Sequence, residues 1–91
     1  MTVTAEEAIA TAQAFLDRGH PGQDLLARFA EDLGPAYVVR FNKRKYFETM
    51  DPADALGPGL GPIGVPKDGS EAWMLSSGIP FAQQVADRYP A

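Results

Sequence analysis

The sequence contains no cysteine among its 91 residues, which excludes disulfide bonds, thiolate metal sites and cysteine nucleophiles. Its longest apolar runs are three to four residues, whereas a helix that crosses a membrane needs about 20. The N-terminus also lacks the positively charged and then apolar start that is typical of a signal peptide. We therefore expect a cytoplasmic protein that makes no contact with a membrane.

Positive charge is scarce as well. The chain has eight basic and twelve acidic residues, which gives a net charge of −4 and an isoelectric point near 4.7. This balance argues against a large basic face, so nucleic acid is not an expected partner. The apolar fraction of 45% and the charged fraction of 22% are ordinary for a globular chain. From the chain length we expect residues 1–91 to form a single domain.

Residue types that catalysis or metal binding requires are few. The single histidine, His20, lies in a Gly-Pro loop, and no serine lies in a nucleophile-elbow pattern. No histidine–carboxylate spacing indicates a metal site. Residues 59–64 match the pattern Gly-x-Gly-x-x-Gly, but a dinucleotide site also needs a strand before it and a helix after it. We therefore expect no catalytic residue, no cofactor and no metal, and a protein that is not an enzyme.

The first half of the chain begins with a clear helical signal. Thr4 and Glu7 form a capping-box pattern, and apolar residues at three- and four-residue spacing predict a helix over residues 5–18 that Gly19 ends. Residues 23–33 fit a helix period and a strand alternation equally well, so both assignments stay open. Residues 36–41 are rich in β-branched and aromatic side chains, which predicts a central strand.

The polar run over residues 42–45 is typical of a turn, after which residues 46–49 are predicted to return as a strand. Its basic residues Lys43, Arg44 and Lys45 are then expected at a charged hairpin tip that protects a sheet edge. The alternative is a nucleic-acid site, because Phe41 and Tyr46 are adjacent.

The second half combines turn signals with short strands. Asp51 and Pro52 predict a capped helical turn that Gly57 closes, and residues 57–62 are loop by composition. Residues 63–65 and 71–76 are predicted strands joined by a tight turn at residues 66–69. Within the second strand, Trp73 and Leu75 should share one face, and Ala72 and Met74 the other.

Pro80 opens a final helix whose apolar residues recur at four-residue steps, namely Phe81, Val85 and Tyr89. The predicted fold is therefore α+β, with an antiparallel sheet of about four strands and the N- and C-terminal helices packed on one face. One core should unite the helices and the sheet through Phe15, Val39, Phe41, Trp73, Leu75, Val85 and Tyr89.

The order of segments from residue 35 to residue 89 resembles the bacterial YrhB-like domain, also described as the immunity protein 35 family. The matching segments are Ala-Tyr-Val-Val-Arg-Phe at residues 36–41, Tyr-Phe-Glu-Thr at 46–49, the Gly-Pro loop ending at 62 and Lys-Asp-Gly at 67–69. Family members have Gly-Trp where this chain has Ala36 and Tyr37, glycine where it has Met50, and aspartate where it has Pro66.

The resemblance implies a protein-binding role, because the family is grouped with immunity proteins that bind and neutralise a cognate toxin. The alternative that it implies is a small chaperone-like or unassigned cytosolic protein. For a toxin-immunity role we predict that the partner surface includes Glu48, Asp51 and Asp54. These carboxylates fall within seven residues, and they lead into a glycine loop of the kind that often carries recognition.

Overall fold

The computed structural model describes residues 2–55 and 61–89, and it has helices at both ends of a four-stranded sheet. The helices are α1 (Ala5–Gly19), α2 (Arg44–Thr49) and α3 (Phe81–Arg88), with a 3-10 turn at Pro52–Asp54, and the strands are β1 (Leu25–Asp32), β2 (Ala36–Lys43), β3 (Ile63–Pro66) and β4 (Trp73–Met74). The sheet is antiparallel with the order β1-β2-β3-β4, which confirms the α+β fold class. Within these two ranges no helix is long and apolar enough to cross a membrane.

Helix α1 begins at the predicted cap. The Glu7 N–H donates to Thr4 Oγ1 at 3.2 Å, and the Thr4 N–H donates to Glu7 Oε1 at 3.1 Å, so the capping box is complete. The helix buries Ala8, Ala12 and Leu16 against the sheet. It ends at Gly19, one residue beyond the predicted end.

Of the two structures left open for residues 23–33, the chain adopts the strand. Leu25 and Ala27 alternate into the core beneath α1, and β1 pairs with β2 along its whole length. The register shifts between Ala27 and Phe29, which marks a β-bulge. Gly34 allows the tight connection to β2 because its φ of +92° lies in the left-handed region.

The prediction of a turn at residues 42–45 and a strand at 46–49 is wrong. Strand β2 continues to Lys43, and α2 follows at once. Met50 ends this helix in a left-handed conformation (φ +54°), and its N–H donates to the Tyr46 carbonyl at 2.7 Å. Lys43, Arg44 and Lys45 therefore lie at a strand–helix junction and not at a hairpin tip.

Two apolar clusters cover the two faces of the sheet, which corrects the expectation of one core and one helical face. Successive residues of a strand point to opposite faces, and accordingly Val39 belongs to the cluster under α1 while Val38 belongs to the cluster under α3. Of the seven residues predicted to share one core, the α1 side holds Phe15, Val39 and Phe41, and the α3 side holds Trp73, Leu75, Val85 and Tyr89. Helices α1 and α3 thus pack on opposite faces.

Strand β3 lies in the sheet interior, and all four of its residues are buried. The turn predicted at residues 66–69 is confirmed by a bond of 3.3 Å from the Gly69 N–H to the Pro66 carbonyl. The predicted facing of residues 72–75 is also correct, although only Trp73–Met74 form ladder pairs with β3. Residues 57–60 of the predicted glycine loop, including the expected closing residue Gly57, lie outside the described residues.

Candidate functional site

The three carboxylates predicted to bind a partner lie on α2 and the turn after it, but their surroundings differ. Glu48 is exposed and makes no hydrogen bond or ion pair within residues 2–55 and 61–89. The Asp51 carboxylate caps the 3-10 turn by accepting from the Ala53 N–H at 2.9 Å, as predicted. Of the three, Glu48 alone is thus left with a carboxylate that is not engaged locally.

Asp54 is held by two neighbours. Its carboxylate accepts a hydrogen bond from Thr49 Oγ1 at 2.7 Å and lies 3.6 Å from Lys45 Nζ. The side chain is only 21% exposed, which is far less than the 71% of its lysine partner. Asp54 therefore ties the segment after α2 back onto the helix.

An aromatic recess lies beside α2 and is formed by residues of β1, β2 and that helix. It is lined by Phe29, Arg40, Phe41, Asn42, Tyr46 and Phe47. The rings of Tyr46 and Phe47 meet edge to face with centroids 5.8 Å apart. The sequence pattern indicates Phe41 and Tyr46 only as neighbours of the basic run. The recess as a whole was not predicted, because Phe29 is separate in the sequence from the other five residues and residues 46–49 were predicted to form a strand.

Phe29 is the most exposed aromatic side chain of the described residues, with 58% of its surface open to solvent. Arg28 lies next to it, with its guanidinium carbon 5.9 Å from the Phe29 ring centroid and 5.0 Å from that of Phe47. These distances are typical of cation–π contacts. Arg28 is itself exposed and has no hydrogen bond or ion pair to any residue that the structure describes.

Arg40 joins this surface to α3. Its guanidinium lies 3.5 Å from the Glu31 carboxylate and 5.7 Å from the Phe81 ring centroid. A second, open recess continues there, lined by Arg40, Phe41, Gly61, Pro62 and Phe81. The aromatic surface therefore extends from α2 toward the start of α3.

The basic run at residues 43–45 does not act as one positive patch. Arg44 Nε lies 3.0 Å from the Asp24 carboxylate, and Lys45 pairs with Asp54 as described. Two of the three cations are thereby neutralised locally, which weakens the nucleic-acid alternative.

Two other carboxylates have a lowered pKa, and both accept hydrogen bonds from residues in or next to turns. A hydrogen bond of 2.7 Å from Lys67 Nζ, with a second from the Gly34 N–H, lowers the pKa of Asp32 below its ordinary value of 3.8. Hydrogen bonds from the Ser70 hydroxyl and N–H lower the pKa of Asp68 in the same way. Asp32 thus links the β1–β2 connection to the β3–β4 turn.

His20 caps the C-terminus of α1 and lines an open recess together with Asp17, Asp24 and four apolar or glycine neighbours. Over residues 2–55 and 61–89, no group of three or more histidines and carboxylates is placed to hold a metal ion. The Gly-x-Gly-x-x-Gly segment is described only from Gly61 onward. There the glycines serve packing, because a Cβ on Gly61 would overlap the carbonyl of Leu75 and one on Gly64 would meet the Trp73 ring.

No protein-family model matches the chain, and no curated protein or solved structure matches it either. The resemblance to the YrhB-like domains therefore stays a prediction that rests on the segments quoted above.

Proposed function

We propose that this chain is a non-enzymatic protein-binding module of the toxin-immunity type, which binds and neutralises a cognate toxin. The observation that carries the binding role is the aromatic recess, with Phe29 exposed at its rim and Arg28 beside it. Aromatic residues and arginine are the types that contribute most energy to protein interfaces. The toxin as the partner comes from the resemblance to the YrhB-like immunity family.

The exposed Phe29 ring is an apolar surface that a partner could bury. Burying a phenylalanine fully is worth about 1.5–3 kcal/mol, and more than half of this side chain is still in contact with water. A partner that covered the ring would recover about 1–2 kcal/mol from this residue alone. The neighbouring rings of Tyr46 and Phe47 already pack against each other at this recess, so a partner would meet an apolar surface that is formed in the free chain.

The acidic residues have distinct parts in this proposal. Glu48 follows Phe47 on α2 and supplies a free negative charge close to the recess. Charges at the rim of an interface act mainly on the association rate, so Glu48 would speed the approach of a basic toxin. Asp51 and Asp54 would shape the same surface by fixing the turn after α2.

Purification of the tagged chain from its own host tests the proposal. We expect one stoichiometric protein partner, which arrests growth when it is expressed alone and does not when this chain is co-expressed. The variant Phe29→Ala should lose the partner, whereas Ile79→Ala should retain it. Ile79 is a suitable control because it is also exposed, at 45%, but does not line the recess.

Two outcomes would contradict the proposal. If the captured partner is harmless to growth, the toxin-immunity role is wrong. If instead the chain suppresses the aggregation of many unrelated proteins and binds none of them stoichiometrically, the chaperone-like alternative is favoured.

A further inference from the structure

Arg28 is a cation held against aromatic rings without a carboxylate. Among the other described basic residues of the same region, Arg40, Arg44 and Lys45 each have an acidic neighbour within 4.0 Å, namely Glu31, Asp24 and Asp54. Lys43 has no ion pair within the described residues, but no aromatic ring of those residues lies against it either. The Arg28 guanidinium instead lies over the rings of Phe29 and Phe47. No hydrogen bond or ion pair to a described residue engages the N–H groups of Arg28, so its guanidinium keeps donors for a partner while it contacts the rings.

This arrangement has a specific chemical complement. The N–H groups of arginine form paired, charge-assisted hydrogen bonds with a carboxylate, and these are stronger than bonds between neutral groups. The exposed Phe29 ring and the recess behind it offer an apolar surface next to those donors. We propose that Arg28 is the anchor for an Asp or Glu carboxylate of the partner, and that an adjacent aromatic or aliphatic side chain enters the aromatic recess.

This inference rests on the proposed function and names the chemistry of the partner at that site. A carboxylate is favoured over the phosphates of a nucleic acid because Arg40, Arg44 and Lys45 are each already paired with a carboxylate. The unpaired Glu48 follows Phe47 of the recess in the chain and would repel a polyanion. The net charge of −4 adds to that repulsion. A single carboxylate between apolar groups avoids it, since it carries one charge and needs one arginine.

A random twelve-residue peptide library displayed on phage provides the probe. We expect the peptides enriched on the wild-type chain to carry an Asp or Glu within two positions of an aromatic or aliphatic residue. The most enriched peptide, made synthetically, should bind about tenfold more weakly to Arg28→Gln, which corresponds to the loss of a charge-assisted pair. Arg28→Lys should fall between the two, because lysine keeps the charge and loses the paired donors.

Arg18→Gln is the matched control, since it removes the same charge from α1, where Arg18 has no described carboxylate partner and lies outside the recess. It should bind the peptide as the wild type does. Amide resonances of residues 28, 29 and 47 should shift during the titration.

Three results would overturn the inference: no enrichment, enriched peptides without acidic residues, or equal affinity for Arg28→Gln. Preferential binding of an oligothymidylate that shifts the same resonances would also overturn it and would favour a nucleic-acid site. The proposed function fails separately, because it depends on a toxic partner and on Phe29. A toxin that binds Arg28→Gln normally and fails to bind Phe29→Ala would refute the carboxylate anchor and leave the immunity role standing.

Discussion

Replacing Gly64 by alanine tests how α3 is attached to the sheet. Gly64 lies in the buried strand β3 and pairs with Trp73 of β4, whose ring covers it. A Cβ at this position would lie 2.6–2.7 Å from three ring carbons of Trp73, whereas ordinary contacts begin at 3.4 Å. The φ of Gly64 is not in the left-handed region, so the expected effect is steric and does not come from the backbone.

The size of the effect follows from what the ring would have to move. Trp73 must shift by roughly 1 Å, and Arg88 lies 4.1 Å from its centroid on the side of α3. Tyr89 also contacts the ring, with centroids 6.2 Å apart, so the shift disturbs the end of that helix. Overpacking of this kind costs about 1–3 kcal/mol. A domain of this length has a stability of about 5–14 kcal/mol, so the loss is measurable without complete unfolding.

The assay is urea denaturation followed by circular dichroism, with Gly78→Ala as the control. A Cβ on Gly78 meets nothing within 4 Å, so this variant should stay within about 0.5 kcal/mol of the wild type. Repeating Gly64→Ala in a Trp73→Leu background should remove most of its cost, because the clashing ring is gone. An equal cost in both backgrounds would refute the steric explanation.

Further predictions concern β1, the turn linkage and the acidic rim. Gln13→Ala should destabilise the domain by about 1–3 kcal/mol in the same assay, because the Gln13 side-chain amide makes hydrogen bonds of 2.8 and 2.9 Å to two backbone groups on the outer edge of β1. Gln83→Ala, at an exposed position, is its control. The folded-state pKa of Asp32 is lowered, so the stability that its carboxylate contributes is present above pH 3.8 and is lost as the pH falls further. Between about pH 5 and pH 2, Asp32→Asn should therefore lose less stability than the wild type. Equal losses in the two proteins would contradict the Lys67 linkage. Glu48→Lys should leave folding within about 0.5 kcal/mol and slow association with a basic partner in stopped-flow measurements, and unchanged kinetics would remove Glu48 from the interface.

Much of the fold follows from local signals that the structure confirms. The capping box at Thr4 and Glu7 satisfies its own backbone groups, so it identifies the start of α1 without any tertiary information. The facing of Trp73 and Leu75 follows from strand alternation in the same way. Residues 23–33 were ambiguous because their apolar spacing fits both periods, and packing beneath α1 decides for the strand.

Helix α2 shows where local preference misleads. The residues Tyr46, Phe47 and Thr49 favour strands when taken alone. Their context changes the outcome, because the Arg44 N–H donates to the Asp24 carbonyl at the end of the ladder and Met50 provides a left-handed cap. Neither contact has a signature in the sequence, since the first partner is 20 residues away and methionine is an unusual cap.

The candidate binding surface could not be predicted because it depends on a single extra residue. Ala27 faces α1, and in a regular strand Phe29, two residues later, would face α1 as well. The bulge inserts Arg28 and places Phe29 opposite Arg40, on the other face, while Ala30 opposite Val39 returns to the α1 side. One added residue thus turns a phenylalanine from the core to the surface and sets an arginine beside it. An irregularity that exposes an apolar ring at a cost in burial is expected where the chain binds something, and this is the strongest physical reason to look for a partner at Phe29.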